Sequence, residues 1–238
     1  MTSTDVRETR PRILLVGASR GLGHAMAAEL LGRGWDVVGT VRDGAATGLH
    51  ELADRYPGRV DIERLDIAEP QQIAALAQRL SGQRFDILFV NAGTANRDQD
   101  QTIAEVSTDE FVSVMVTNAL GPMRTIEALQ TLVAGNGLIG IMSSGQGSIG
   151  NNEQGGHEVY RGSKSALNQY MRSYAARHRG DGRALLLLAP GWIRTALGGA
   201  DAPFGLEETV PAIVDTLLSK RGKPGLEYLD RNGRSVPW

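Results

Sequence analysis

Short apolar runs alternate with longer amphipathic stretches along most of the 238-residue chain, and this alternation limits the fold more than any other feature. Apolar runs predict strands at 13–16, 35–41, 59–65, 85–90, 138–142 and 183–189, with an edge strand at 226–229. Helical periodicity predicts helices at 24–31, 70–80, 109–133, 158–179 and 207–219. Because no linker-like break interrupts the alternation, residues 11–238 are predicted to form one α/β domain. Its doubly wound, mostly parallel sheet would have about seven strands flanked by helices.

The long helix predicted at 109–133 has two local features. Ser107 or Thr108 is the expected N-cap, and Gly121-Pro122 predicts a kink because proline has no backbone N–H. In a doubly wound sheet, right-handed crossovers place the loops that follow the strands along one edge, where ligands bind. Residues with a chemical role are therefore expected just after strands.

Composition excludes several kinds of site and partner. The chain has no cysteine, which excludes disulfides, thiolate zinc sites and cysteine nucleophiles. The four histidines lack metal-ligand spacing, so we predict no metal, and the net charge of -2 predicts neither nucleic acid nor membrane as a partner. Residues 1–10 are polar and predict a flexible arm, not a signal peptide, and the apolar run 184–189 is too short to span a bilayer. We expect a cytoplasmic protein.

A glycine-rich loop follows the first strand and opens the first helix. Its glycines let the backbone approach a pyrophosphate, and the helix N-terminus offers N–H groups and a positive dipole. The spacing is GxxxGxG, not GxGxxG, and the alternative is a turn without a ligand. The strand before it and the helix after it favour a dinucleotide site. The predicted contacts are Gly17, Ser19, Arg20, Gly21, Leu22 and Gly23.

The end of the second strand indicates which dinucleotide binds. Folds that prefer NAD usually place an acidic residue there for the adenosine ribose, whereas this chain has Val41 followed by Arg42. Arg42 and Arg20 together would suit the 2′-phosphate of NADP. The alternative is that both arginines simply face solvent, and Asp43 leaves NAD(H) as a second candidate. We predict NADP(H).

Two further strand ends carry candidate cofactor contacts. Asp66 could accept a hydrogen bond from the adenine amino group while Ile67 packs on the ring; a turn or N-cap aspartate is nearly as common in this position. After the fourth strand, Asn91, Ala92 and Gly93 are small enough to let a cofactor approach, although they could equally form a plain turn.

Tyr160 and Lys164 are spaced to share one face of a helix. Lysine is rare in this chain: the others are Lys220 and Lys223. An ammonium beside a phenol favours the phenolate and lowers the pKa of the tyrosine. The spacing therefore predicts a tyrosine that donates or accepts a proton near neutral pH.

Three other segments complete the candidate set. Asn118 lies in a helix interior, which suits asparagine only when its side chain has a specific partner. Ser143 and Ser144 follow the fifth strand, where serines are more often caps than catalytic groups. After the sixth strand comes a rigid turn whose backbone could face a nicotinamide; its predicted cofactor contacts are Pro190, Gly191, Ile193 and Thr195.

Together these motifs resemble the short-chain dehydrogenase/reductase family, whose Rossmann-type fold would cover residues 12–238. The matching residues are Gly17, Gly21, Gly23, Asp66, Asn91-Ala92-Gly93, the catalytic set Asn118, Ser144, Tyr160 and Lys164, and Pro190, Gly191 and Thr195. Val16 and Val90 depart from the usual motifs. Segments 144–149, 160–168 and 232–238 are similar to the C-factor-like and sniffer-like carbonyl reductase branch. The serine also lies further before Tyr160 than is common in the family, which leaves Ser143, Ser144 and Ser148 as candidates, and we favour Ser144.

The resemblance implies an NADP(H)-dependent oxidoreductase that transfers a hydride between nicotinamide and a carbonyl or alcohol carbon. Tyr160 would exchange the proton and contact the cofactor, and Lys164 would lower the pKa of Tyr160 and bind the nicotinamide ribose. Ser144 would orient the substrate oxygen, and Asn118 would hold a water that connects Lys164 to solvent. The predicted substrate contacts are Ser144, Gln146, Tyr160 and Trp192.

Two other functions could use parts of the same set. A regulatory or redox-sensing protein that binds NADP(H) without turnover needs only the glycine loop and the arginines, so the intact Asn-Ser-Tyr-Lys set speaks against it. A dehydratase or epimerase on the same scaffold also uses tyrosine and lysine. The expected partner is a small carbonyl or alcohol substrate, and the long helices at 109–133 and 158–179 could assemble a homodimer or homotetramer.

Overall fold

The computed structural model describes residues 10–238, so all of the predicted N-terminal arm except Arg10 lies outside the described residues. Its strands are β1 (Arg12–Val16), β2 (Asp36–Val41), β3 (Val60–Arg64), β4 (Phe85–Val90), β5 (Val133–Met142), β6 (Ala184–Ala189) and β7 (Gly225–Asp230). Its α-helices are α1 (Gly21–Gly32), α2 (Gly48–Arg55), α3 (Pro70–Arg79), α4 (Thr108–Met115), α5 (Gly121–Leu129), α6 (Glu158–Arg177) and α7 (Leu206–Lys220).

All seven strands pair in parallel in the order β3-β2-β1-β4-β5-β6-β7. The order reverses direction between β1 and β4, and ligands bind beyond the carboxyl ends of the strands at such a switch point. The doubly wound parallel α/β fold predicted from the sequence is confirmed. The segment expected as an edge strand is β7, which pairs with β6.

The central strands β1, β4 and β6 are almost wholly buried on both faces of the sheet, and their successive side chains point to opposite sides. In β1, Leu14 and Val16 join a core with α3, α5 and α6, whereas Ile13 and Leu15 join a second core with α1 and α7. This arrangement explains why the strands read as continuous apolar runs. The helix α2 was not predicted; Thr47 precedes it and makes reciprocal capping contacts with the third helical residue.

The prediction of one continuous helix over 109–133 is wrong in the interior of the segment and at its end. A π-helical turn, Val116–Leu120, separates α4 from α5, and a 3-10 turn ends the segment at Leu132. Pro122 has no N–H for the Asn118 carbonyl, and the Gly121 N–H bonds instead to the Val116 carbonyl, five residues back. The kink expected at Gly121-Pro122 therefore takes the form of a change in hydrogen-bond register, in the helical turn that precedes these two residues. Of the two expected N-caps, Ser107 is the cap and accepts from the Glu110 N–H.

The fifth strand begins earlier than predicted, at Val133, with an irregularity in its pairing to β4. Gly137 permits this pairing, since a Cβ there would lie 2.6 Å from the Asp86 carbonyl oxygen. Within residues 10–238, no helix is long and apolar enough to cross a membrane.

Candidate active site

The glycine loop lies at the carboxyl end of β1 and is held from two neighbouring strands. The Gly17 N–H donates to the Thr40 hydroxyl (2.9 Å), and the Asn91 side-chain amide donates to the Gly17 carbonyl (2.9 Å). A Cβ at Gly23 would lie 2.0 Å from that same carbonyl oxygen. Glycine is therefore required for α1 to begin this close to the loop. Gly17 also has a φ of 87°, which favours glycine.

The start of α1 has the properties of an anion site. Arg20 precedes it in extended conformation, no side chain caps the first turn, and no acidic residue lies there. The first N–H groups of the helix therefore remain for a ligand. Arg20 and Arg42 are both exposed, and neither forms a salt bridge with a described residue.

Asp66 forms a turn, which is one of the two roles that its position in the sequence allows. One of its carboxylate oxygens accepts from the Ala68 N–H (2.9 Å), and its own N–H donates to the Gln72 side chain (2.9 Å). The second carboxylate oxygen of Asp66 has no hydrogen bond to another described residue. Ile67 next to it is buried.

Tyr160 lies in the first turn of α6, and its phenol is near the Ser144 side chain. Burial raises the pKa of Tyr160, and the neighbouring Ser144 hydroxyl lowers it in part. The direction is opposite to the one predicted from the Tyr–Lys spacing. Lys164 Nζ lies 5.9 Å from the centre of the Tyr160 ring and does not offset the desolvation of the phenol.

Lys164 is buried one turn further along α6, as the i, i+4 spacing predicts. Its ammonium donates to the Met142 carbonyl oxygen (3.0 Å) at the end of β5. Burial lowers the pKa of Lys164 to about 8. Two of its three N–H donors remain for other partners.

The three candidate serines have different surroundings. Ser143 is buried and donates to the Asn168 side-chain oxygen (2.6 Å), and the Ser148 hydroxyl accepts from the Asn151 N–H (3.2 Å) within a turn. Ser144 is partly exposed; its hydroxyl accepts from the Gln146 N–H (3.2 Å) in a turn and lies near the Tyr160 phenol. This geometry favours Ser144 as the serine that acts with Tyr160.

Asn118 lies in the π-helical turn and ties it to the loop after β4. Its amide nitrogen donates to the Thr94 carbonyl (2.8 Å) and to the Ser163 hydroxyl (2.9 Å), and its oxygen accepts from the Thr94 N–H (2.8 Å). Both side-chain donors are therefore used, so only the second lone pair of the oxygen is left for the predicted water. A Cβ on Gly93 would lie 3.3 Å from the Asn118 oxygen and 3.4 Å from Lys164 Nζ, so Gly93 borders these two side chains.

The loop after β6 closes towards the glycine loop. Gly191 has a φ of 92°, and Ile193 is buried and pairs with Phe204. A Cβ on Gly21 would lie 3.8 Å from the Thr195 methyl group, so the two loops border one cleft. Trp192 is 56% exposed and donates to the Gly198 carbonyl (2.7 Å).

Three polar groups near the site were predicted weakly or not at all. The Gln146 side-chain oxygen is buried without a hydrogen-bond partner among the described residues. Asn168 and Tyr228 contact the turn that contains Ser144, and no local pattern beyond the strand itself points to Tyr228. Among the described residues, no group of three His, Asp or Glu side chains is arranged to hold a metal.

Comparisons with known proteins identify the family of this chain. A family model described as enoyl-(acyl carrier protein) reductase matches residues 17–216. A structure of a Burkholderia multivorans protein, described as a short-chain dehydrogenase/reductase with bound NADP, is similar at 67% identity, covers 97% of this chain and 100% of its own, and has a TM-score of 0.95.

Two more distant relatives bear on the branch of the family. The 1-hydroxy-2-glutathionyl-2-methyl-3-butene dehydrogenase of Rhodococcus sp. (strain AD45) is 34% identical over 78% of this chain and 79% of its own. The carbonyl reductase Sniffer of D. melanogaster is 27% identical, covers 97% of this chain and 100% of its own, and has a TM-score of 0.86. The sequence resemblance is confirmed, and the chain belongs to the short-chain dehydrogenase/reductase family of oxidoreductases.

Proposed function

We propose that this protein is an NADPH-dependent carbonyl reductase that acts on a small substrate in the cytoplasm. The observation that carries the proposal is the placement of Tyr160 beside Ser144 and one helical turn before buried Lys164, at the edge of the sheet where ligands bind in this fold. The NADP bound to the Burkholderia multivorans structure and the two unpaired arginines near the glycine loop support the choice of cofactor.

The residues present fit a dinucleotide phosphate. The close approach of Gly23 to the Gly17 carbonyl places the start of α1 directly against the glycine loop, and the uncapped first turn of α1 offers N–H donors. Arg20 and Arg42 would hold the 2′-phosphate, and the free donors of Lys164 would hold the nicotinamide ribose. The free carboxylate oxygen of Asp66 would accept from the adenine. When bound, NADPH supplies the hydride.

Side chains of the protein would bind the substrate oxygen and supply its proton. Ser144 would hold the carbonyl oxygen by donating to it, and Tyr160 would give that oxygen its proton as the carbonyl carbon is reduced. The resulting phenolate would be stabilised by the buried ammonium of Lys164 and reprotonated from solvent. Because burial raises the pKa of Tyr160, the phenol keeps its proton at neutral pH and is set for reduction. The reverse oxidation needs the phenolate and is expected to accelerate as the pH rises.

The direct test of this function is the loss of NADPH absorbance in the presence of aldehydes, ketones and quinones. We expect decay with at least one class of carbonyl, and formation of the matching alcohol in equal amount. NADPH binding without decay across the panel would instead identify a redox sensor. Loss of water, or inversion of a centre without net use of NADPH, would identify a dehydratase or epimerase.

Arg20 and Arg42 are expected to determine the preference for NADPH. Replacing both by alanine should raise the KM for NADPH by about tenfold, because hydrogen bonds to charged groups contribute roughly 1.5–3 kcal/mol and exposure weakens them. The KM for NADH should change little. The control is Arg179→Ala, which removes an exposed arginine beyond the far end of α6. An equal rise in both KM values would contradict this assignment.

A further inference from the structure

Tyr228 is a buried tyrosine that the reaction chemistry does not use. It lies in β7 opposite Leu187 of β6, with 3% of its surface exposed. Its hydroxyl donates to the main-chain carbonyl oxygen of Ser144. Burial raises the pKa of Tyr228, so this hydroxyl stays protonated and remains a donor at neutral pH. A hydrogen bond thus joins the far edge of the sheet to the serine beside Tyr160.

Asn168 holds the same turn from α6. It lies one turn beyond Lys164 on α6, accepts from the Ser143 hydroxyl (2.6 Å) and donates to the Gly147 carbonyl (3.2 Å). A Cβ on Gly147 would lie 2.9 Å from the Lys164 Cβ, so the turn is packed directly against the helix that carries the catalytic pair. The main chain on both sides of Ser144 is therefore fixed by buried groups.

The segment 235–238 fixes Tyr228 in turn. The Val236 N–H donates to the Tyr228 carbonyl (2.8 Å), and the Trp238 ring lies 5.4 Å from the Tyr228 ring. The Trp238 carbonyl accepts from the Gly150 N–H (3.0 Å), and the Arg172 guanidinium lies 4.3 Å from the centre of the Trp238 ring. These contacts connect β7, the loop after Ser144 and α6.

We propose that Tyr228 is a positioning residue for this enzyme: together with Asn168, it sets the main chain of Ser144 so that the serine hydroxyl faces Tyr160 and the substrate oxygen. The inference rests on the proposed function. Tyr228 does not touch the reacting atoms, and its effect passes through Ser144. The orientation of a group that contacts the reacting atoms strongly affects rate, since small misplacements are costly.

The first measurement compares kcat and KM for Tyr228→Phe, which keeps the ring and removes only the donor. We expect kcat for carbonyl reduction to fall by about tenfold, with both KM values within roughly twofold of the parent. The matched control is Tyr174→Phe. Tyr174 is also buried, and its hydroxyl donates to the Gln130 side chain (2.6 Å) in a part of α6 away from the site. Its variant should lose stability without losing kcat.

The second measurement separates positioning from general damage by a double-mutant cycle with Ser144→Ala. If Tyr228 acts through the serine, Tyr228→Phe should cause little further loss of kcat in the Ser144→Ala background. Asn168→Ala should behave in the same way. It can replace Tyr228→Phe in the double-mutant cycle if Tyr228→Phe does not fold. An unchanged kcat, or an undiminished loss in the Ser144→Ala background, would overturn the inference.

The parent protein and the Ser144→Ala variant distinguish this failure from failure of the proposed function. Full turnover in the parent, a large loss in Ser144→Ala and no effect of Tyr228→Phe would remove the positioning role alone. Absence of carbonyl reduction in the parent, or full turnover in Ser144→Ala, would remove the proposed function and the positioning role with it.

Discussion

Replacing Tyr160 by phenylalanine is expected to lower kcat for carbonyl reduction by roughly 100- to 10,000-fold, the usual contribution of a positioned general acid. The variant keeps the ring that packs at the start of α6 and loses only the hydroxyl near Ser144. The substrate oxygen would then develop negative charge without a positioned proton donor.

The measurement pairs steady-state reduction of a reactive carbonyl with a titration of NADPH binding. We expect the Kd for NADPH to stay within about threefold of the parent value, because the missing hydroxyl acts on the substrate. Tyr170→Phe is the matched control, since Tyr170 lies on the same helix and is 47% exposed. Near-normal turnover of Tyr160→Phe with intact NADPH binding would show that another group donates the proton.

The sheet and the positions of the motifs could be predicted because they depend on local patterns. The apolar run of β1 followed by Gly17 and the start of α1 predicts both a buried strand and a ligand loop. Parallel strands then bring their carboxyl ends to one edge. For the same reason, residues far apart in the chain, such as Gly93 and Lys164, border one cleft.

Features that depend on tertiary contacts could not be predicted. The π-helical turn needs both the missing N–H of Pro122 and the close approach of Gly121 to the Ile67 carbonyl, where a Cβ would lie 2.6 Å away. The pKa of Tyr160 moves opposite to the expectation because desolvation of the phenol in the folded protein, which the Tyr–Lys spacing does not report, is the largest cause of its shift. The contact between Tyr228 and Ser144 depends on the pairing of β7 with β6, which no local motif specifies.

The placement of the NADPH pyrophosphate at the start of α1 can be tested by Gly23→Ala, which we expect to abolish tight binding of NADPH. The added Cβ would lie 2.0 Å from the Gly17 carbonyl oxygen and 2.5 Å from the Asn91 amide nitrogen. The Gly17 oxygen belongs to the main chain, and the Asn91 nitrogen is hydrogen-bonded to that oxygen. Neither atom can therefore move without disrupting the glycine loop. Helix α1 must shift away from β1, and its first N–H groups would leave the position that suits a pyrophosphate.

We expect affinity for NADPH to fall by at least about 100-fold and the free energy of unfolding to fall by about 3 kcal/mol, the upper range for overpacking. Urea denaturation and NADPH titration measure the two effects. Gly32→Ala is the control on the same helix: a Cβ there meets nothing within 4 Å, so this variant should bind NADPH normally and be stabilised by up to about 1 kcal/mol. Parent-like NADPH affinity in Gly23→Ala would mean that the pyrophosphate does not bind against the start of α1, and the placement of the cofactor in this cleft would then be wrong.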